Sequence, residues 1–379
     1  MRSLADLMAP AGVEAFLQAF AAKQRLMLRT DTPGRGLGLL DWRDIDAAVA
    51  GQAPPERLKV LLNSHTVDPR MYVAENPRRL RGARLQELAE QGASLLINGV
   101  DDVAPRVAAL VTNMERQLRR SVSANAYLSF GPGQALAAHY DDHDVVVLQV
   151  IGAKRWRCYG VDLPFPVAGG VSSLQDPVWE DELRPGDVLY LPRGEAHAAT
   201  AVEPPSVHLT IAIQERTGVD YLRWLADEAA GEQLFRMSLR RDEGLAEAGA
   251  GLRAAMQTLA GSRSLATFLT AGDHRRAPRP LAAFDFAQRA TPDSLLVSAL
   301  RRSLDLELGD DEERTLEIGG ERRRLGALAR RALSALTERD RTTLADLAAA
   351  LGRPPGDAAL AQSLALLARH ALIAIDDAP

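Results

Sequence analysis

Two histidines and one carboxylate, drawn from two separated stretches, are the residues of this chain best suited to chemistry. His139 and Asp141 flank Tyr140, and in an extended strand residues two apart project from the same face. His197 comes much later, after Pro192-Arg193-Gly194-Glu195-Ala196. Two imidazoles and a carboxylate on one face of a metal leave the opposite face open, which suits non-haem Fe(II) and its reaction with oxygen. Taken singly, His139 reads as a loop histidine and His197 as a polar residue after a Pro-Gly turn. Taken together, with strands on both sides, they favour a metal site. His143 continues the alternation, but a 139/141/143 set would require one strand to wrap around the ion, so Asp142 and His143 are set aside. His65, His274 and His370 lack ligand-like neighbours and read as exposed side chains.

The surrounding pattern supplies strands to carry these groups. Asn125–Phe130 alternates, 144–151 is rich in β-branched residues, and Arg155–Tyr159 alternates again. Asp187–Leu191 and Val207–Ile213 complete the set, with Gly131-Pro132-Gly133, Gly152 and Gly169-Gly170 as turns. Many short strands with turn signals predict a sandwich or barrel. Residues 1–100 read as a mixed, mainly helical stretch. An amphipathic helix is expected over Asp6–Phe20, a second capped by Asp41 and running through Val49, and strands at 60–62 and 94–97. After Thr217 the spacing turns helical, with Tyr221, Leu222, Trp224 and Leu225 on an apolar stripe. Pro278 and Pro280 mark a linker. Helices over 343–351 and 357–369, followed by the apolar run 371–375, give a winged-helix outline.

Composition narrows the function classes. The chain has 379 residues, a formal net charge of -5 and a single cysteine, Cys158. A lone cysteine excludes internal disulfides and multi-cysteine zinc sites. The mild acidity argues against a protein that depends on neutralising phosphates. No apolar run approaches membrane-spanning length and the N-terminal residues lack a signal-peptide core, so a cytoplasmic protein is expected. Lys23, Lys59 and Lys154 are the only lysines among 45 basic residues.

Gly186, five residues, Pro192-Arg193-Gly194, two residues and His197 fit the second motif of cupin barrels. Where simple cupins have His-x-His, this chain has His139-x-Asp141. The stretches 123–128, 139–142, 148–159 and 183–194 with His197, together with His208-Leu209-Thr210, resemble the JmjC-type ribosomal oxygenases. That family consists of protein hydroxylases dependent on Fe(II) and 2-oxoglutarate. The resemblance is close over roughly 121–215 and holds only in outline over the first and last hundred residues. It implies an α+β fold: a double-stranded β-helix (cupin/JmjC jelly-roll) core, a helical dimerisation region and a C-terminal winged-helix domain. The implied boundaries are 1–100, an N-terminal stretch packing on the core; 101–215, the catalytic core; 216–280, the dimerisation region; and 281–379, the winged-helix-like domain.

Roles follow position by position from the resemblance. His139, Asp141 and His197 would hold iron and form the catalytic centre. Lys154 would bind the distal carboxylate of 2-oxoglutarate, in keeping with the need of a buried dianion for a fixed cation. Asn125 and Thr210 would add hydrogen bonds, and Tyr127, on the face of Asn125, would line the pocket. Trp156 reads equally as core or site wall, and Arg193 and Glu195 as support or surface charge. O2 is the second co-substrate, with succinate and CO2 as products. The implied substrate is a protein, an Arg or His side chain of a basic ribosomal protein. Asp142, Asp144, Asp187 and Glu195 are expected to make the pocket mouth acidic. Two departures from the family, Ala153 and His143, bear on the substrate and not on the metal.

Three other readings stand beside this one. The same chemistry could serve a small peptide or natural product. Demethylation of methyl-lysine would follow the wider JmjC class. A non-enzymatic metal-binding cupin regulator would use the winged helix on DNA. The helix over 357–369 carries one basic and one acidic residue, so direct nucleic-acid binding is not expected. A homodimer is expected from the helical region, and no membrane association.

Overall fold

Strands with valine and leucine at consecutive positions must be covered on both faces. In the computed structural model, which describes residues 1–30, 32, 34–76, 78–239, 244–281, 283–306 and 313–376, two hydrophobic cores do this. Met1–Glu215 and Arg216–Pro379 are separate compact units.

The first unit runs α1 (Leu4–Met8), α2 (Val13–Ala22), β1 (Leu26–Leu28), α3 (Trp42–Ala47), β2 (Leu58–Leu62), β3 (His65–Thr66), β4 (Val73–Glu75), β5 (Arg78–Leu80), α4 (Gly82–Glu90) and β6 (Ser94–Ile97). It continues with α5 (Pro105–Leu118), β7 (Ser121–Ser129), β8 (Gly133–Gln134), β9 (His139–Tyr140), β10 (Asp144–Val161), β11 (Gly170–Val171), β12 (Trp179–Leu183), β13 (Val188–Leu191) and β14 (Glu195–Gln214). The main sheet has the order β1-β13-β10-β14-β7-β6-β2-β3, with β8, β9, β11 and β12 paired off this path. All of its pairings are antiparallel. The first hundred residues thus contribute strands to the same sheet as residues 101–215, and they share its larger core.

Strand alternation divides the side chains between the two cores. Val146, Leu148 and Val150 of β10 face the larger core with Val107, Leu110 and Met114 of α5. Val145, Val147, Trp156 and Cys158 of the same strand face a smaller one with Leu183, Leu189 and Leu191. β7 puts Val122, Ala124, Ala126 and Leu128 into the larger core, so Ser123, Asn125 and Tyr127 project from the other side.

Three local expectations are corrected. The helix expected over Asp6–Phe20 is two helices, α1 and α2, because Pro10 and Gly12 (φ +89°) interrupt it. Asp41 does cap α3 with a capping box, but the α-helix ends at Ala47 and passes into a π-turn, Ala48–Gln52. Residues 144–151 and 155–159 are not two strands joined by a turn at Gly152. They are one strand, β10, with register shifts against β14 around residues 149–154. Gly152 (φ +60°) sits at the irregularity, where a Cβ would lie 2.2 Å from the Glu203 carbonyl oxygen. A bulge bends the strand where a turn would end it.

In the second unit α6 (Gly218–Ala229), α7 (Gln233–Arg236), α8 (Leu245–Ser262), α9 (Leu265–Arg275) and α10 (Phe286–Arg289) precede β15 (Leu295–Ser298), β16 (Arg314–Ile318) and β17 (Glu321–Leu325). Then come α11 (Ala327–Arg339), β18 (Arg341–Thr343), α12 (Leu344–Ala350), α13 (Ala358–Arg369) and β19 (Ile373–Ile375). β18-β15-β19 form a small sheet, β16-β17 a hairpin, and α11 and α13 close a separate leucine-rich core. Tyr221 and Trp224 of α6 pack on Phe268 of α9, both at 5.6 Å between ring centroids. Leu222, expected on the same stripe, is exposed, being displaced from Trp224 around the helix.

Candidate metal centre

β14 carries His197 directly opposite His139 of β9, and Asp141 follows β9. Their ligand atoms all lie within 4.8 Å of one another. The two imidazole centroids are 4.5 Å apart, and His197 Nε2 is 3.7 Å from Asp141 Oδ2. Both rings are anchored the same way. Nδ1 of His139 is 2.9 Å from the Ala137 carbonyl oxygen, and Nδ1 of His197 is 3.0 Å from that of Glu195. A carbonyl can only accept, so each Nδ1–H donates, and each Nε2 lone pair is left for a metal. Burial, reinforced by His139 and opposed by Asp141, holds the His197 pKa well below the usual imidazole range. The ring is therefore neutral, the form that coordinates.

The turn before His197 is fixed by backbone geometry. Gly194 N donates to the Asp141 carbonyl at 2.9 Å, tying the two ligand-bearing segments together. Gly194 has φ +85°, and a Cβ there would lie 2.1 Å from the Leu163 carbonyl oxygen. Trp156 stacks on His197 with 5.9 Å between centroids and is itself buried in the smaller core, so it is both core and site wall.

Beside the three ligand-type residues a cavity is lined by Tyr127, Lys154, Trp156, His208 and Thr210. Lys154 is buried, and its Nζ meets the His208 Nδ1 at 2.8 Å and the Tyr127 carbonyl oxygen at 3.4 Å. No carboxylate pairs with it among the described residues. Desolvation lowers its pKa to about 7. His208 stacks on Tyr127 (4.8 Å, 7°) and meets Trp156 edge-on (5.3 Å, 73°). Its pKa lies well below the usual value, through burial first and the neighbouring Lys154 second. In its charged form the lysine therefore donates to a neutral imidazole.

The structure brings His139, Asp141, His197, Lys154, Tyr127 and Thr210 to one cavity. Asn125 faces Thr210 across the β7–β14 ladder, but it is outside the cavity lining and its Oδ1 accepts from Gly99 N at 2.9 Å. Sequence reading gave His208 no role of its own. Its signal was its alternation with Thr210 and its cross-strand position opposite Tyr127. His143 bonds Asp142 at 2.8 Å and does not join the ligand group.

The expected acidic mouth is overturned. Asp144 is buried and bonded to Lys23 Nζ at 2.8 Å and to the Tyr190 hydroxyl at 2.8 Å. Asp187 is buried against Arg29 at 2.7 Å, and Glu195 against Arg25. These three carboxylates are neutralised inside the fold, and only Asp142 of the four is exposed at its side chain. Arg193 lies over the Phe165 ring.

Comparison with known proteins agrees with this geometry. The JmjC domain family matches residues 102–221, a stretch that contains all seven expected site residues. The bifunctional lysine-specific demethylase and histidyl-hydroxylase NO66 of Drosophila persimilis is 30% identical over 220 residues, covering 57% of this chain and 32% of that protein. Human ribosomal oxygenase 1 is 29% identical over 255 residues, covering 62% of this chain and 39% of that protein. The chain thus spans well under half the length of these relatives. Among solved structures, the Escherichia coli ribosomal oxygenase YcfD in complex with cobalt and 2-oxoglutarate aligns with TM-score 0.60 at 18% identity, covering 96% of this chain and 98% of that one. The fold is thus of the JmjC/cupin kind, helix and sheet mixed. The chain carries a JmjC domain, and its homologues include the ribosomal oxygenases.

Proposed function

We propose that the protein is a 2-oxoglutarate- and Fe(II)-dependent dioxygenase that hydroxylates a protein side chain, an Arg or His of a ribosomal protein. The observation that carries this is the pairing, in one cavity, of an open three-ligand group with a buried lysine that has no carboxylate partner among the described residues. An uncompensated buried cation is costly unless an anion joins it. The donor set fits the metal, since both Nε2 lone pairs and the Asp141 carboxylate remain available.

His139, Asp141 and His197 would hold the iron. Lys154 and Thr210 would hold the distal carboxylate of 2-oxoglutarate, with Tyr127 as the wall and Asn125 stiffening β7 from outside the cavity. The iron with its bound co-substrate supplies oxidising power by activating O2. The chain's own residues orient the dianion, keep the imidazoles neutral and exclude water through Trp156 and Tyr127. The similar fold of YcfD, solved in complex with cobalt and 2-oxoglutarate, supports this cofactor set.

The remaining assignments are part of the same proposal. α6 to α9, within 216–280, form a dimerisation region. The sheet β15/β18/β19, the hairpin β16–β17 and helices α11 to α13, within 281–379, form a winged-helix-like domain that does not bind nucleic acid, as α13 offers Arg369 as its one base. The protein acts in the cytoplasm on a basic ribosomal protein. Its test is anaerobic titration with Fe(II) and 2-oxoglutarate, then oxygen exposure with ribosomal proteins. A gain of one oxygen mass on a single protein is expected, and no gain on any of them rejects the assigned substrate. A second reading, demethylation of methyl-lysine, is favoured by the similarity to NO66, a bifunctional lysine-specific demethylase and histidyl-hydroxylase. Formaldehyde release with a methylated peptide would select it.

A further inference from the structure

Cross-strand neighbours carry the ligand row outward to an open edge. His197 is opposite His139, and His139 is opposite Val171 of β11. Directly opposed residues share a face of the sheet, so Val171 lies on the histidine side. It is 78% exposed. Among the described residues no strand pairs with the second edge of β11.

The segment around it, 161–178, is apolar and open to water. Val161, Leu163, Phe165, Val167, Val171 and Val178 are all exposed. A contiguous run of this kind is unusual on a surface that meets only solvent. It is also tethered to the metal centre. Ser172 N donates to the Ala138 carbonyl at 2.9 Å, Asp162 N to that of Gly194 at 3.0 Å, and Val178 N to that of Cys158 at 2.8 Å. The backbone joined to both ligand-bearing segments therefore displays these side chains.

Its charge has one sign. Between Arg157 and Arg184 there is no lysine, arginine or histidine. Glu180, Asp181 and Glu182 in that stretch are paired with Arg157, Arg29 and Arg184. Among the described residues Asp162 and Asp176 have no ion-pair partner, and Asp162 accepts from the Ser173 amide at 3.2 Å. Arg193, over Phe165, is the neighbouring base.

We propose that residues 161–178 are the platform on which an extended segment of another polypeptide docks, its backbone along the free edge of β11. That segment carries apolar side chains against Phe165 and Val171 and cationic ones towards Asp162 and Asp176. This mode uses main-chain hydrogen bonds for affinity and alternate side chains for selectivity. The inference rests on the reading of the protein as a protein hydroxylase and locates where its substrate lies.

The test uses the full chain holding Co(II) and 2-oxoglutarate. Synthetic peptides alternating valine with arginine, with glutamate or with serine are titrated by fluorescence anisotropy. The arginine series is expected to bind tightest. Val171→Asp and Phe165→Asp, both at exposed positions, should weaken it about tenfold or more. Asp176→Lys should weaken it a few-fold and flatten its salt dependence. Binding of 2-oxoglutarate, measured separately, should be unchanged in all three variants. Equal affinity for the glutamate series, or affinities unmoved by the variants, overturns the platform. So does a wild-type dimer in sedimentation that Val171→Asp makes monomeric, since the patch would then join two copies. The peptide arm decides the platform whichever way the 2-oxoglutarate control falls, and absence of that control in the wild type would instead count against the oxygenase reading.

Discussion

Two sets of buried charge lie among the same strands, and they are treated oppositely. On the edge formed by β1 and the residues beside it, Lys23, Arg25 and Arg29 each meet a buried carboxylate, on Asp144, Glu195 and Asp187. In the cavity Lys154 meets an imidazole and a carbonyl, and no acid among the described residues. The first set is complete within the chain, so its work is structural. The second is incomplete, so it is poised for an anion that the chain does not itself provide. A buried charge with its partner speaks to folding, and one without speaks to a ligand.

The comparison breaks most sharply if the two sets respond alike to removal. Lys154→Met should lower 2-oxoglutarate affinity roughly 100-fold or more, since the dianion is then buried without its cation. It should leave the melting temperature unchanged or higher, because an unpaired charge has been replaced by an apolar chain of similar length. Thermal melting with and without 2-oxoglutarate reads both quantities. A large loss of stability in the unliganded variant would mean that Lys154 is a structural residue after all. Arg25→Ala should do the reverse. It leaves Glu195 buried without its guanidinium, at a cost of about 3 kcal/mol in urea denaturation. The folded fraction should keep its 2-oxoglutarate affinity, as Arg25 is outside the cavity lining.

The same contrast shows what the sequence could and could not disclose. His139, Asp141 and His197 were legible because their types are chemically distinctive and two of them keep strand spacing. The strands were legible because valine and leucine mark them. The partners of Asp144, Asp187 and Glu195 were not legible. Lys23 lies 121 positions from Asp144 and Arg25 170 positions from Glu195, and no local pattern encodes pairing at that range. Reading those acids as a charged mouth followed from their proximity in sequence alone. Gly152 was read as a turn because a glycine that ends a strand and one that bends it leave the same local signal. His208 had no role of its own because a histidine in a strand is commonplace, and its contact with Lys154, 54 positions away, is encoded in no local pattern.

Proton linkage sharpens the comparison at smaller effect. Burial lowers Lys154 from 10.5 to about 7, so between those values the unfolded chain holds a proton that the folded chain has lost. Stability of the unliganded protein should therefore rise from this group as pH increases from about 7. Binding of 2-oxoglutarate needs the charged form, so its affinity should fall as pH passes about 7 and each binding event should take up as much as about one proton. Calorimetry at pH 8 in two buffers of different ionisation enthalpy measures that uptake. Identical apparent enthalpies in both would show that Lys154 is already charged without the dianion.

The smallest effect is expected at His208, whose imidazole touches the lysine without sharing its charge. With Nδ1 accepting from Nζ, the ring fixes the direction of the ammonium and leaves its other hydrogens for an anion. His208→Phe preserves the stack on Tyr127 and removes the acceptor, so 2-oxoglutarate affinity should fall a few-fold. His208→Gln restores an acceptor and should recover part of that loss, with less of the stacking. If Phe and Gln variants bind equally well, the ring serves only to fill space between Tyr127 and Trp156. The lysine would then be held by its own burial and the Tyr127 carbonyl, and the cavity would need just one positioned charge to recognise its dianion.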